Sequence, residues 1–151
     1  PVLAGRADHG FGKSYILQGH GANLVPLRAA ITGVAAGMRL RSWWDFEAVN
    51  VLRSGWCGAW EGMHASPSEV SITQATHRVG LVPALEPPEK LTPEYIAAHA
   101  GDKHGAPDDH RRDFPDGRVG SHSGLARVEH GVELVKVAAE SVAGAYCGFA
   151  A

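Results

Sequence analysis

The sequence lacks an excess of charge of either sign, since 14 Lys and Arg stand against 16 Asp and Glu. A net charge of −2 supplies no broad basic field that would attract nucleic acid or anionic lipid. It also lacks a run of about 18 apolar residues, the length that a membrane span needs, and residues 1–5 lack the pattern of a signal peptide. The composition therefore argues against a nucleic-acid partner and a membrane protein, and it predicts a cytoplasmic location.

Cysteine is also scarce, with only two residues of this type in the chain. Cys57 and Cys147 lie far apart and outside any CxxC or Cys/His ligand spacing, so we expect structural thiols. Histidine is abundant by contrast, with nine in 151 residues. That abundance permits a metal site without specifying one.

The hydrophobic pattern of the first third of the chain predicts the order βαβα. Residues 14–18 form a short apolar run that is typical of a buried strand. Asn23 can cap a helix whose apolar positions recur at helical spacing over 24–38. A second strand over 40–44 and a brief helix over 45–52 follow. This order predicts a parallel sheet.

The later part of the chain contains two well-signalled helices. Residues 66–69 have the S-x-x-E capping-box pattern, which opens a helix that we expect to end near His77. Apolar residues spaced by three and four predict a last helix over 125–146. Proline, glycine and charge dominate between them, so 85–118 is predicted to be irregular and loop-rich apart from a short helix after Thr92.

The number of elements bears on the architecture. At 151 residues we expect a single domain over 1–151. Two strands are too few for a parallel sheet of the usual size. Residues 2–7 have the pattern of a helix end, so we interpret the chain as starting within an element. The sequence therefore predicts an α/β, three-layer αβα fold with a mostly parallel sheet that this chain supplies only in part.

One histidine occupies a position that suits a functional site. His20 follows the first predicted strand, and open α/β sheets build their sites at the carboxyl ends of strands. Glycines on both sides would let a ligand approach the backbone. Taken alone, however, the pattern favours a histidine that only hydrogen-bonds within a tight turn.

Three segments in register resemble the creatininase family of amidohydrolases. Tyr15–Asn23 is similar to the family's strand and GHGGN turn, and Ser42–Phe46 to its aromatic YWDF stretch. Trp60–Ser71 resembles the HAGExETS segment with its preceding tryptophan, and 119–144 resembles the closing turn and helix. The resemblance implies a creatininase-like fold and metal-dependent hydrolysis of a C–N bond, such as that of a cyclic amide.

The resemblance also implies roles for individual residues. His20 matches a metal-ligating histidine, and the cofactor would be one or two divalent ions of Zn, Mn or Fe. His64 matches the acid/base that protonates the departing nitrogen, a task that suits an imidazole titrating near neutrality. Gly21, Trp44 and Trp60 would contact a small-molecule amide substrate.

Several of these assignments have a structural alternative. Glu69 would hold a second metal or act with His64, but its place in the capping box alone explains it. His64 is equally consistent with a surface loop, and large aromatic residues are often core residues. The acidic and histidine-rich stretch over 102–116 is interpreted as a solvated loop, because arginines interrupt it.

The matched segments depart from the family at two positions. Ala22 stands where creatininases proper have a second-metal glutamate, and Pro67 replaces the first glutamate of HAGExETS. Creatinine itself is therefore not the expected substrate.

The family's N-terminal half, with its Glu-x-His pair and a bridging aspartate, has no counterpart in this sequence. We therefore predict a two-chain enzyme, hetero- or homo-oligomeric, in which a second chain supplies those ligands. The alternatives are a non-catalytic accessory or structural subunit of such an assembly, and a truncated chain that binds nothing.

Overall fold

The computed structural model describes residues 5–6, 8–33, 37–77, 85–100 and 105–151. Within these ranges the chain has an α/β fold that combines a small parallel sheet with several helices. The strands are β1 (Ser14–Gln18) and β2 (Met38–Ser42). The helices are α1 (Leu24–Thr32), α2 (Glu47–Trp56), α3 (Pro67–Thr76), α4 (Pro93–Ala98), α5 (Pro107–Asp113) and α6 (Val128–Ala150). Three 3-10 turns span Gly21–Asn23, Gly58–Trp60 and Ser123–Leu125.

The two strands pair in parallel, with Ser14 opposite Met38 and Gln18 opposite Ser42. The predicted bounds of β1 are confirmed, whereas β2 starts and ends two residues earlier than predicted. The helix predicted over 24–38 is wrong at its end, because Met38 belongs to the strand. Gly37, with a φ of +98°, has a backbone conformation that cannot continue a helix. Residues 34–36 and most of the predicted helix end over 2–7 lie outside the described residues.

The core of the described chain lies between α2, α3 and α6. Val49, Leu134 and Ala138 are buried there, and partly buried apolar residues pack against them: Trp43, Phe46, Leu52, Trp56, Ile72 and Val137. Helices α3 and α6 approach closely at Gly131, where an added Cβ would overlap the carbonyl of Ser71. The backbone N–H of Arg127 donates to the Ser71 hydroxyl at 3.0 Å, so the start of α6 is fixed to α3.

Helix α3 begins as predicted. Both hydrogen bonds of the capping box are present between Ser66 and Glu69, Pro67 occupies the first turn, and the helix ends at Thr76 with His77 as its C-cap. The predicted short helix after Thr92 is also present, because the Thr92 hydroxyl accepts the backbone N–H of Tyr95 at 3.1 Å.

Three other boundaries differ from the prediction. Helix α2 spans Glu47–Trp56 and not the predicted 45–52, and the 3-10 turn Gly58–Trp60 follows it. Helix α6 starts at Val128, because Leu125 belongs to a 3-10 turn. Within 85–118 the structure contains α5 in addition to the predicted helix.

An apolar groove of about 550 Å³ runs between the sheet and α6. Its lining consists of Leu17, Trp43, Ile72, Val135, Ala138, Ala139, Val142, Ala143 and Tyr146. Leu17 and Tyr146 are each 51% exposed, so large apolar side chains on both walls face solvent. In the described part of the chain, no helix is long and apolar enough to cross a membrane.

Candidate active site

A pocket of about 190 Å³ opens beyond the carboxyl end of β1, where ligand sites of parallel α/β sheets are found. Its walls come from the turn after β1, the turn after β2, helix α2 and the segment that leads into α3. The lining residues are His20, Gly21, Leu24, Trp43, Trp44, Arg53, Gly62, Met63, His64, Ser66 and Glu69. Five of the six residues singled out from the sequence, His20, Gly21, Trp44, His64 and Glu69, are therefore brought together.

The ends of the two strands hold His20 in place. Gln18 is buried, and its amide nitrogen donates to the hydroxyl of Ser42 on the neighbouring strand. The amide oxygen of Gln18 accepts the backbone N–H of His20 at 2.7 Å. His20 then caps the 3-10 turn, because its Nδ1 accepts the backbone N–H of Ala22 at 3.3 Å. The tight-turn alternative for His20 is therefore realised, within a wall of the pocket.

His64 lies next to His20, with ring centroids 6.1 Å apart and planes tilted by 34°. The loop that carries it is fixed to residues 119–123. The N–H of Met63 donates to the carbonyl of Val119 at 2.9 Å, and the Ser123 hydroxyl donates to the carbonyl of Ala65 at 2.5 Å. Ala65 has a φ of +50°, which is uncommon for a residue with a side chain. A strained loop held by remote residues thus sets the position of the imidazole.

Glu69 lines the pocket while serving the start of α3. Its Oε2 accepts the backbone N–H of Ser66 at 3.1 Å and the Ser66 hydroxyl at 2.9 Å, and its own N–H donates to that hydroxyl at 3.2 Å. The capping role foreseen from the sequence is confirmed. A catalytic role for this carboxylate stays a prediction.

The aromatic wall differs from the predicted one. Trp43 and Trp44 both line the pocket, with ring centroids 5.6 Å apart in an edge-to-face arrangement. Trp60 lies outside this lining, because its ring packs on His122 at 5.7 Å and the Lys90 ammonium lies 4.4 Å from its centroid. Of these two tryptophans, only Trp44 was predicted to contact the substrate, although both follow β2 directly.

Two further residues near the pocket were missed. His110 on α5 meets His64 edge to face, with ring centroids 6.0 Å apart. His110 was not predicted as a site residue because aspartates and arginines surround it in the sequence. Those charged neighbours form exposed ion pairs, as at Asp108 with Arg111 and Asp109 with Arg112. These residues are solvated as expected, but they lie on helix α5 and not in a loop, whereas residues 102 and 104 lie outside the described residues.

Arg53 is the other pocket residue that was not predicted, and a hydrogen-bonded ion pair holds its side chain in the lining. Its Nε donates to Glu61 Oε1 at 3.0 Å, and the opposite oxygen of Glu61 accepts the Ser68 hydroxyl at 2.9 Å. Burial, followed by the charge of Glu61, raises the pKa of the nearby Cys57 thiol to about 12. Cys57 is therefore an inert thiol, in agreement with the structural role expected for it.

The pocket at the carboxyl end of β1 brings two imidazoles and a carboxylate together. These groups are suited to acid–base chemistry, and α/β proteins build catalytic sites at this end of the strands. The family model described as creatininase, creatinine amidohydrolase, matches residues 2–146, and the chain therefore belongs to the creatininase family. This family suggests an amidohydrolase, generally one that depends on a divalent metal. The comparison with curated protein sequences gives no match.

The donors of the described residues do not fit a complete metal centre. Nowhere in these ranges do three or more His, Cys, Asp or Glu residues gather closely enough to hold an ion. A ligating histidine normally donates from its second ring nitrogen, whereas Nδ1 of His20 accepts a hydrogen bond from Ala22. A catalytic metal usually needs three protein ligands, so further donors are required.

Proposed function

We propose that this chain is one subunit of a metal-dependent amidohydrolase that cleaves the C–N bond of a small cyclic or related amide. The observation that carries the proposal is the meeting of His20 and His64 in one pocket beside Trp43 and Trp44. Membership of the creatininase family gives the reaction class. The aromatic rings would hold a planar amide, since flat apolar groups pack well on such surfaces.

In this proposal His64 donates a proton to the departing nitrogen. An imidazole is suited to the task because its ring nitrogens can both donate and accept a proton. The loop contacts to residues 119–123 would keep its ring oriented during the reaction. Glu69 would support the same wall through the capping box. His20 is the ligand that this chain would offer to a metal, once its hydrogen bond from Ala22 is exchanged.

A second polypeptide would supply the remaining metal ligands. The incomplete donor set of the described residues supports this arrangement. The apolar groove supports it as well, because Leu17 and Tyr146 expose large apolar surfaces beside a two-stranded sheet. Trp43 lines both the groove and the pocket, so a chain seated in the groove would reach the site. The occupant we propose carries further strands and the Glu-x-His and aspartate ligands.

A non-catalytic accessory subunit is the second candidate. The incomplete donor set among the described residues favours it, because a chain that only completes an assembly need not keep metal ligands. A cytoplasmic location remains a prediction for either candidate.

The test measures bound metal and hydrolysis for two samples. One is this chain alone, and the other is this chain coexpressed with a polypeptide that carries the family's Glu-x-His and aspartate segment. We expect stoichiometric divalent metal and turnover of simple lactams only in the second sample. An assembled pair with bound metal but no turnover on any amide would favour the accessory role. A monomer that binds metal and hydrolyses substrate unaided would contradict the two-chain arrangement.

A further inference from the structure

We propose that Arg53 binds a carboxylate on the substrate, so that the pocket selects small planar amides that carry a negative charge. This inference rests on the proposed hydrolase function and specifies its substrate class. Among the residues that line the pocket, Arg53 has the side chain best suited to a carboxylate, because a guanidinium presents paired N–H donors in one plane.

The guanidinium is held rigidly before any ligand arrives. Its Nε donates to Glu61 at 3.0 Å, and its Nη1 donates to the side-chain oxygen of Asn50 at 3.0 Å. The amide of Asn50 in turn donates to the carbonyl of Trp44 at 2.8 Å. The guanidinium carbon lies 5.2 Å from the ring centroid of Trp43. A side chain fixed in this way loses little freedom when it binds a ligand.

Donors remain available on the guanidinium. It has five N–H groups, and within the described ranges its side-chain hydrogen bonds go to Glu61 and Asn50 alone. The Arg53 side chain is 21% exposed and lines the pocket, so a ligand there can reach the group. The Glu61 side chain is only 14% exposed, and its two oxygens accept hydrogen bonds from Arg53 and Ser68. In this proposal Glu61 therefore orients Arg53.

The neighbouring side chains fit the rest of such a ligand. The tryptophan pair offers an apolar wall for the flat amide, and Trp43 itself contacts the guanidinium. A molecule with a planar amide ring and an attached carboxylate would place the ring on this wall and the carboxylate on Arg53. The two imidazoles would then stand beside the amide bond.

Two lactams that differ in one group provide the probe. 5-Oxoproline has a five-membered lactam ring with a carboxylate, and 2-pyrrolidinone is the same ring without it. Binding of each is measured by titration of the chain, observing the indole signals of the tryptophans in NMR spectra. The variants are Arg53→Gln, Arg53→Lys and, as a control, Arg28→Gln on the exposed surface of α1.

We expect 5-oxoproline to bind at least roughly tenfold more tightly than 2-pyrrolidinone, as one charge-assisted hydrogen bond allows. That preference should vanish in Arg53→Gln, persist in part in Arg53→Lys and be unchanged in Arg28→Gln. A purely structural role would instead weaken both lactams equally in Arg53→Gln. Three results would overturn the inference. They are this equal weakening of both lactams, equal affinities of the two lactams for the unaltered protein, and no binding of 5-oxoproline.

Failure of the proposed function gives a different result. Selective binding of 5-oxoproline without hydrolysis of any amide by the assembled pair would refute the hydrolase and leave the Arg53 subsite in place. Hydrolysis of neutral lactams that is insensitive to Arg53→Gln would support the hydrolase and overturn the subsite.

Discussion

The imidazole rings of His20 and His64 lie 6.1 Å apart, one after the first strand and the other in the loop before α3. Each is fixed by its own hydrogen-bonded support, the Gln18 side chain for His20 and the contacts of 63–65 to 119–123 for His64. Two rings at this separation can contact one small ligand together.

Replacement of His64 tests its role as the proton donor. In the two-chain enzyme proposed above, His64→Ala should lower kcat by about 10²- to 10⁴-fold, the usual contribution of general acid–base catalysis. The far-ultraviolet circular dichroism and bound metal should stay unchanged. His77→Ala, at the exposed end of α3, is the control and should retain full turnover. Undiminished activity of His64→Ala would assign proton transfer to another group.

The capping box gives a prediction about stability that separates Ser66 from Glu69. Ser66→Ala removes the acceptor for the N–H of Glu69 and should lower the free energy of unfolding by about 1 kcal/mol. Glu69→Gln should cost much less, because glutamine can also accept the N–H of Ser66. Urea denaturation measures both values. A larger loss for Glu69→Gln than for Ser66→Ala would show that the carboxylate charge matters more than the cap.

Gly131 should be the least replaceable glycine of α6. Gly131→Ala places a methyl group against the carbonyl of Ser71 and should lower the free energy of unfolding by about 1–3 kcal/mol through overpacking. Gly144→Ala on the same helix is the control, since nothing lies within 4 Å of its added Cβ. That change should raise stability by about 0.5–1 kcal/mol, the helical advantage of alanine. Equal effects at both positions would contradict the close α3–α6 packing.

The two cysteines should differ sharply towards thiol reagents. Cys57 is buried with a pKa of about 12, so almost no thiolate forms at pH 8, whereas Cys147 is exposed. Treatment of the native chain with iodoacetamide, followed by peptide mass spectrometry, should find the label on Cys147 alone. Cys147→Ser should leave the folded protein unlabelled. Rapid labelling of Cys57 in that variant would show that α2 opens easily.

His130 should make stability depend on pH. Its ring stacks on Trp56 at 4.1 Å, and burial, followed by the charge of Arg127, lowers its pKa from the usual 6.5, with Glu129 opposing. The folded state therefore favours the neutral ring. The resulting stabilisation is fully present above pH 6.5 and is lost as the pH falls towards the folded pKa.

The measurement is the free energy of unfolding between about pH 5 and 8, the range that brackets an ordinary histidine pKa. His130→Phe keeps the stacked ring without a titrating group, so its unfolding free energy should fall less steeply at acid pH. Identical slopes in both proteins would mean that His130 titrates normally in the folded state.

The sequence predicted those elements whose signals are local. Strand β1 and the start of α3 follow from an apolar run and from a capping box, each of which acts within a few residues. The end of α1 was misjudged because Met38 satisfies the helical spacing and also fits a strand, and only pairing with Ser14 decides between them. Tertiary contacts therefore outweighed periodicity there.

The candidate site was predictable where family motifs exist and not elsewhere. His20 and His64 stand in such motifs, and the structure places them together. Arg53 and His110 reach the region through the packing of α2 and α5, for which no short-range pattern gives a signal. Trp60 stands in a motif, yet contacts with Lys90 and His122 occupy its ring. Such contacts arise between segments distant in sequence.

Trp43 belongs to two surfaces, the polar pocket beside His64 and the apolar groove along α6. A molecule bound in either place touches the same indole ring. If filling the groove shifts that ring, the affinity of the pocket for its ligand changes, and thermodynamic reciprocity requires the ligand to change the affinity of the groove by the same factor. The binding equilibrium of the groove and that of the pocket would then be thermodynamically coupled, so that occupancy of one site reports on occupancy of the other.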